Sequence, residues 1–217
     1  MSSLRYCYRT IEFGTHDIHL KTLRNKQEFE DAGGVAEKIG ITSANWSLFG
    51  VVWESSEILA RLMLDFDIKG KRILEIGCGI ALPSMVLNHR SADITSTDYH
   101  PEVEKFLLAN TRLNEEEDIP FIRTGWADGD CDMGEFELII GSDLLYERGS
   151  PKLLSKFIDR LCAKHCEIIL VDPGRGYHAN FTKEMIGLGY SHRHHAPLPL
   201  AGQPTVVPKG KVLYYNR

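Results

Sequence analysis

Two glycines and two acids between residues 75 and 98 are well suited to binding a nucleoside ligand. The run Ile73-Leu74-Glu75-Ile76-Gly77-Cys78-Gly79-Ile80-Ala81-Leu82-Pro83 predicts a buried strand that turns through two glycines into a helix. Asp98 follows Gly79 by 19 residues, at the end of a second strand-like stretch, 92–98. A glycine turn lets a ligand approach the backbone, and an acid about 20 residues further on can hold a ribose diol. The spacing therefore indicates an adenosine-containing cofactor.

The residues around the turn favour S-adenosylmethionine over a dinucleotide. The third glycine of the dinucleotide pattern is absent, because Leu82 stands there and is followed by Pro83. A pyrophosphate needs several free N–H groups at the start of a helix, whereas a sulfonium cofactor has no phosphate. Pro83 suits the first turn of a helix, where its missing N–H costs nothing. Glu75 lies two residues before Gly77, where its carboxylate can reach the cationic methionyl end of the cofactor, directly or through water.

Further candidates lie at the ends of predicted strands, where ligands collect in open α/β sheets. Trp126 is expected to cover the adenine, and Trp53 to line the methionine end, although both also suit a hydrophobic core. Asp98 is expected to bind the ribose, although it also suits a helix N-cap. The predicted cofactor-binding residues are Trp53, Glu75, Gly77, Cys78, Gly79, Asp98, Trp126 and Ser142.

Asp143 and Tyr146 follow the predicted strand 136–141 and are the candidates for binding a methyl acceptor. Three residues apart on a single turn, the carboxylate and the phenol would project the same way. A lysine acceptor must first lose a proton, which at pH 7 costs about 4–5 kcal/mol from a pKa of about 10.4. The two groups can align the amine while the proton leaves to water, and proximity supplies the larger part of the acceleration. Asp143 also suits a helix cap.

Arg175 lies in the turn Asp172-Pro173-Gly174-Arg175, at the end of the predicted strand 167–172. Its guanidinium can bind an acidic acceptor surface, pair with a nearby carboxylate, or simply belong to a structural turn. The sequence leaves these three readings open.

Alternating strand and helix patterns predict a doubly wound, mostly parallel α/β sheet with helices on both faces. Residues 4–23 predict a β-hairpin ahead of it, and 24–45 a loop or a short helix plus loop. Helices are predicted over 52–66, 101–114, 151–163 and 178–188, and a short strand from 121 to about Trp126. Two late strands, 190–195 and 211–215, have no helix between them and predict an antiparallel hairpin.

Composition is that of an ordinary globular α/β domain: 217 residues, 43% hydrophobic and 25% charged. The net charge of −5 argues against general nucleic-acid binding. Five cysteines without zinc spacing suggest reduced cytosolic thiols, and we find neither a secretory signal nor a membrane span, so a cytoplasmic protein is expected. His192, His194 and His195 are not expected to bind a metal, because adjacent strand residues point to opposite faces.

Together these motifs resemble the class I, seven-strand S-adenosylmethionine-dependent methyltransferases, and within them methyltransferase family 16, which modifies lysines of non-histone proteins. The resemblance rests on 50–53 with 59–60, 74–79, 97–98, Trp126, 142–146 and 172–175, and covers about residues 48–217. It implies a Rossmann-like seven-stranded sheet, a methyltransferase domain at 46–217 and, within the same domain, an N-terminal extension at 1–45. It also implies that Asp143 and Tyr146 form the acid-x-x-Tyr motif for acceptor binding and catalysis.

Three other functions are open to the same residues. Relatives with this pattern include small-molecule N- or O-methyltransferases, which a closed aromatic pocket would favour, whereas an open acidic groove would favour a protein lysine. A non-catalytic binding module has no need to keep Glu75, Gly77, Gly79, Asp98 and Asp143 together at strand ends. A nicotinamide-dependent oxidoreductase lacks support because the third glycine is missing.

Overall fold

The computed structural model describes residues 5–14, 16–25, 31, 33–43, 45–128, 132–199 and 208–217. An N-terminal hairpin of β1 (Tyr6–Phe13) and β2 (His16–Leu23) precedes a seven-stranded sheet. The strands of that sheet are β3 (Arg72–Ile76), β4 (Asp93–Asp98), β5 (Phe121–Arg123), β6 (Phe136–Ser142), β7 (Cys162–Asp172), β8 (Ser191–His195) and β9 (Lys211–Asn216).

The strand order across the sheet is β5-β4-β3-β6-β7-β9-β8. The strands from β3 to β7 pair in parallel, and β9 lies antiparallel to both β7 and β8. This confirms the predicted mostly parallel sheet with a C-terminal antiparallel hairpin. From β3 the chain adds β4 and β5 on one side and then crosses back to add β6 on the other side of β3. Open α/β sheets bind ligands at such a reversal of strand order.

The described residues contain six α-helices: α1 (Val35–Lys38), α2 (Glu54–Met63), α3 (Leu82–His89), α4 (Val103–Leu113), α5 (Ser150–Leu161) and α6 (His178–Gly187). Neighbouring residues on β3 point to opposite faces, so Ile73 joins a core with α2, α3 and α4, whereas Leu74 joins a core with α5 and α6. Among the described residues, none of the helices has both the length and the apolar character needed to cross a bilayer.

The N-terminal hairpin is attached to α4 by two asparagine side chains that act like a neighbouring strand. Asn110 accepts from the Lys21 N–H at 2.7 Å and donates to the Lys21 carbonyl at 3.3 Å. One helical turn later, Asn114 repeats the pattern with His19, at 2.8 and 2.7 Å. The outer backbone groups of His19 and Lys21 are therefore satisfied without a third strand.

Several elements begin or end away from the predicted residues. α4 begins at Val103 and not at Pro101, because the His100 N–H bonds the Asp98 carboxylate and the chain turns before the helix starts. The strand predicted to reach Trp126 ends at Arg123, since its partner β4 ends at Asp98, opposite Arg123.

Candidate functional site

The turn after β3 has the backbone conformation that the two glycines predict. Gly77 and Gly79 have φ angles of +60° and +53°, in the left-handed region that favours glycine. A Cβ atom on Gly77 would come within 2.6 Å of the Leu144 side chain, and one on Gly79 within 3.3 Å of the Phe49 carbonyl oxygen. Any other residue at these positions would strain the turn and push into its neighbours.

Asp98 ends β4 with its carboxylate beneath this turn. One oxygen accepts from the Gly79 N–H at 2.9 Å, and the other from the His100 N–H at 2.8 Å. Burial raises the pKa of Asp98, against the lowering effect of these bonds. The Tyr99 N–H also interacts with the carboxylate, so backbone donors orient the group while it keeps acceptor capacity for a hydroxyl. This arrangement fits a ribose diol.

The Glu75 side chain is buried against the first turn of α3 and is not exposed at the glycine turn. The side chain is 1% exposed and accepts from both the backbone N–H and the hydroxyl of Ser84, in the first turn of α3. The Ser84 hydroxyl in turn accepts from Ser96 on β4 at 2.7 Å. Burial raises the pKa of Glu75 to about 8. Glu75 thus joins the strand, the turn and the helix, and its contact with a cofactor stays a prediction.

A cavity of about 880 Å³ opens above the turn, at the carboxyl ends of the strands. Trp53 lines one wall, with its indole N–H fixed on the Leu48 carbonyl at 3.0 Å, and Trp126 packs against the second core. Burial raises the pKa of the Cys78 thiol well above its usual range, so it stays protonated. Seven of the eight predicted cofactor-binding residues line the cavity: Trp53, Gly77, Cys78, Gly79, Asp98, Trp126 and Ser142.

Asp143 and Tyr146 line the same cavity, but not on a helical turn as predicted. The segment after β6 is irregular, and Asp143 has a φ of +54° while its N–H bonds the Val171 carbonyl at 2.9 Å. The bond continues the parallel pairing of β6 with β7, and the left-handed φ of Asp143 is incompatible with a right-handed helix at this residue. Tyr146 is 44% exposed, and burial of its hydroxyl, with Glu147 nearby, raises its pKa to about 12.

The Asp143 carboxylate is held by Arg175 from the turn after β7. The guanidinium donates through Nε at 2.5 Å and through a terminal nitrogen at 2.6 Å, one to each carboxylate oxygen. The sequence left three roles open for Arg175, and the structure shows one of them, the pair with a nearby carboxylate.

Phe49 is a site residue that the sequence reasoning missed. Its carbonyl lies against Gly79, and its ring stacks on His100 with centroids 4.0 Å apart. The only signal was its position directly before the motif 50–53.

His192 and His194 contact each other at 3.2 Å on β8. In the described part of the chain, no cluster of three or more His, Cys, Asp or Glu side chains could hold a metal ion.

Comparison with known proteins places this geometry among methyltransferases. A family model described as lysine methyltransferase matches residues 38–185. The protein N-lysine methyltransferase METTL21A of Danio rerio is 33% identical over 125 residues, and EEF1A lysine methyltransferase 3 of Xenopus tropicalis is 23% identical over 140. The matches cover 52% and 62% of this chain, and 56% and 62% of those relatives, so the chain aligns with little more than half of their length.

A solved structure has the same fold. The putative SAM-dependent methyltransferase from Streptococcus mutans superposes with a TM-score of 0.67 over 97% of this chain and 55% of its own, at 12% identity. At that identity the likeness concerns the fold alone.

Proposed function

This chain belongs to the lysine methyltransferase family, and from that premise we propose that it transfers the methyl group of S-adenosylmethionine to a lysine side chain of a non-histone protein. One observation carries the proposal: the glycine turn with Asp98 and the pair Asp143 and Tyr146 line a single cavity. A donor bound at the turn and an acceptor bound at the pair would therefore meet inside it.

The charge of the cavity supports a cationic donor and a cationic acceptor. Among the described residues that line it, the carboxylates are Asp98, Asp128, Asp143 and Glu147, and the one lysine or arginine is Arg175. S-adenosylmethionine has a sulfonium and an ammonium, and lysine arrives as an ammonium. An excess of carboxylates attracts such groups and repels phosphates.

Each residue has a role that follows from its contacts. Bound S-adenosylmethionine supplies an electrophilic methyl group to the reaction. Asp98 binds and orients the ribose, and Gly77 and Gly79 allow the ligand to approach the backbone. Asp143 accepts a hydrogen bond from the acceptor nitrogen, and Tyr146, whose raised pKa keeps it a neutral phenol, offers a second contact. The amine proton leaves to water, and the nitrogen lone pair would then form the new C–N bond while the methyl carbon–sulfur bond breaks, its electron pair staying on sulfur in the departing neutral thioether.

Transfer of labelled methyl from S-adenosylmethionine to a desalted cell extract tests the proposal. Incorporation into a protein band that maps to a lysine is the expected result. Asp143→Ala should abolish incorporation while S-adenosylmethionine still binds, as measured by isothermal titration calorimetry, because Asp143 is not part of the glycine turn. Incorporation by Asp143→Ala at the wild-type rate would remove Asp143 from the mechanism.

The aromatic lining of the cavity favours one second candidate, a small-molecule N- or O-methyltransferase. Trp53, Tyr99 and Trp126 line the walls and offer flat surfaces for a planar acceptor. Against this, the Tyr146 side chain is 44% exposed, so the acceptor end is open towards a macromolecule. Incorporation that appears only when small metabolites are added back to the extract would favour the second candidate.

A cytoplasmic location fits the state of the cysteines. The four described cysteines, Cys7, Cys78, Cys162 and Cys166, are free thiols, as is usual in a reducing compartment. Fractionation of cells that express a tagged chain tests this, and recovery in an organelle fraction would contradict it.

A further inference from the structure

Arg175 is positioned by its own turn to reach the acceptor carboxylate. Gly174 and Gly176, on either side of it, have φ angles of +93° and +94°. The buried Asp172 carboxylate fixes the turn by accepting from the Gly174 N–H at 2.8 Å. The result is the two-bond pair with Asp143, whose side chain is only 9% exposed.

The charge of this carboxylate has two opposite effects on a lysine acceptor. An unpaired carboxylate attracts the ammonium, and so improves binding. It also stabilises the protonated form, and an opposite charge within about 4–6 Å shifts a pKa by about 1–3 units in that direction. Methyl transfer needs the neutral amine, so strong attraction would delay the proton loss on which the reaction depends.

We propose that Arg175 is a positioning residue that neutralises Asp143, so that the acceptor nitrogen loses its proton at a lower pH than it would beside a lone carboxylate. The inference rests on the proposed lysine methyltransferase function. The guanidinium occupies one acceptor position on each oxygen of Asp143, and the remaining positions stay open to the amine. Asp143 therefore keeps its role as a hydrogen-bond acceptor with little net charge.

The other charged groups that face this position make the neutralisation necessary. Asp98 at the end of β4, Glu147 after β6 and Asp172 at the end of β7 all bring negative charge towards Tyr146 or Arg175. Since Arg175 is the one lysine or arginine among the described cavity residues, its removal leaves the carboxylates near the acceptor nitrogen without a neutralising lysine or arginine.

The test is the pH dependence of methyl incorporation by Arg175→Gln, with the labelled extract as acceptor. We expect the pH of half-maximal rate to rise by at least about one pH unit. The apparent KM, from a dilution series of the extract, should fall, and S-adenosylmethionine binding, measured by calorimetry, should stay within about twofold. Arg175→Lys should return the midpoint most of the way. Arg217→Gln is the matched control, since Arg217 pairs with Asp159 at 2.7 Å, with similar exposure, outside the cavity.

Each outcome decides the proposal. Activity of Arg175→Gln should recover towards the wild-type rate as the pH rises above its shifted midpoint, and a rate that stays below the wild-type rate by the same factor at every pH would overturn the inference. A lower rate with an unshifted midpoint would also overturn it, because a purely structural role lowers the rate equally at every pH. No incorporation by the wild-type protein at any pH would refute the proposed function, and the inference with it, whereas wild-type incorporation without a shift refutes the inference alone.

Discussion

Replacing Glu75 with glutamine should change how stability depends on pH. In the folded protein this carboxyl is buried, and burial raises its pKa from 4.5 to about 8, with a smaller rise from Asp98 and an opposing effect of the two bonds from Ser84. The folded state therefore binds a proton between these two values that the unfolded state has lost. Stability is highest below the unfolded pKa and falls as the pH rises towards the folded one.

The magnitude follows from the two pKa values. The free energy of unfolding falls by up to about 1.4 kcal/mol per pH unit inside the window. Integrated from pH 5 to pH 8, the wild-type protein loses about 3–4 kcal/mol to the ionisation of this one group. A glutamine is neutral throughout and can still accept both bonds from Ser84 through its carbonyl oxygen. The free energy of unfolding of Glu75→Gln, relative to that of the wild type, should therefore increase by about that amount between pH 5 and pH 8.

Urea unfolding at pH 5, 6.5 and 8, followed by circular dichroism, measures the difference. Glu104→Gln, an exposed residue of α4, is the control and should follow the wild-type curve. If Glu75→Gln and the wild type lose stability in parallel, Glu75 is already ionised in the folded protein and the reasoning from burial is refuted.

Three further substitutions test the site and its support. Asp98→Ala should abolish S-adenosylmethionine binding in calorimetry, since charge-assisted bonds contribute about 1.5–3 kcal/mol each; unchanged affinity would remove Asp98 from the ribose site. Gly79→Val should lose the same binding and lower the melting temperature, because the position has a φ of +53° and the Phe49 carbonyl lies within 3.3 Å of a Cβ; a wild-type melt would show that the turn adapts. Asn110→Ala should lower the free energy of unfolding by about 1–3 kcal/mol and speed amide exchange in 16–23, and unchanged exchange would mean that the hairpin does not depend on it.

The sequence was sufficient for the parts of the site that local patterns control. Strand and helix periodicity predicted the order of elements, and the glycines predicted the turn, because a left-handed conformation limits the choice of residue. The family resemblance is confirmed by the match to residues 38–185. The cofactor-binding and catalytic roles of individual residues stay predictions.

Contacts between distant segments could not be predicted in the same way. The single turn expected at 143–146 is not helical, because Asp143 has a left-handed φ of +54° and its N–H bonds Val171 on β7, a partner set by the sheet and not by neighbouring residues. The bonds from Ser84 to Glu75 and from Arg175 to Asp143 span 9 and 32 residues. Neither spacing has a local signature, since side-chain pairing of this kind depends on how two elements pack.

The N-terminal hairpin illustrates how such distant contacts reach the site. Tyr6 on β1 meets Phe106 on α4 with ring centroids 5.9 Å apart, and Phe106 meets Phe49 at 5.1 Å. Phe49 covers Gly79 with its carbonyl. Because each ring packs on the next, displacement of the hairpin should loosen the cover over the glycine turn. We infer that residues 1–45 belong to the catalytic domain, and a chain that lacks them should therefore bind S-adenosylmethionine more weakly, whereas full binding would make the extension a separate module.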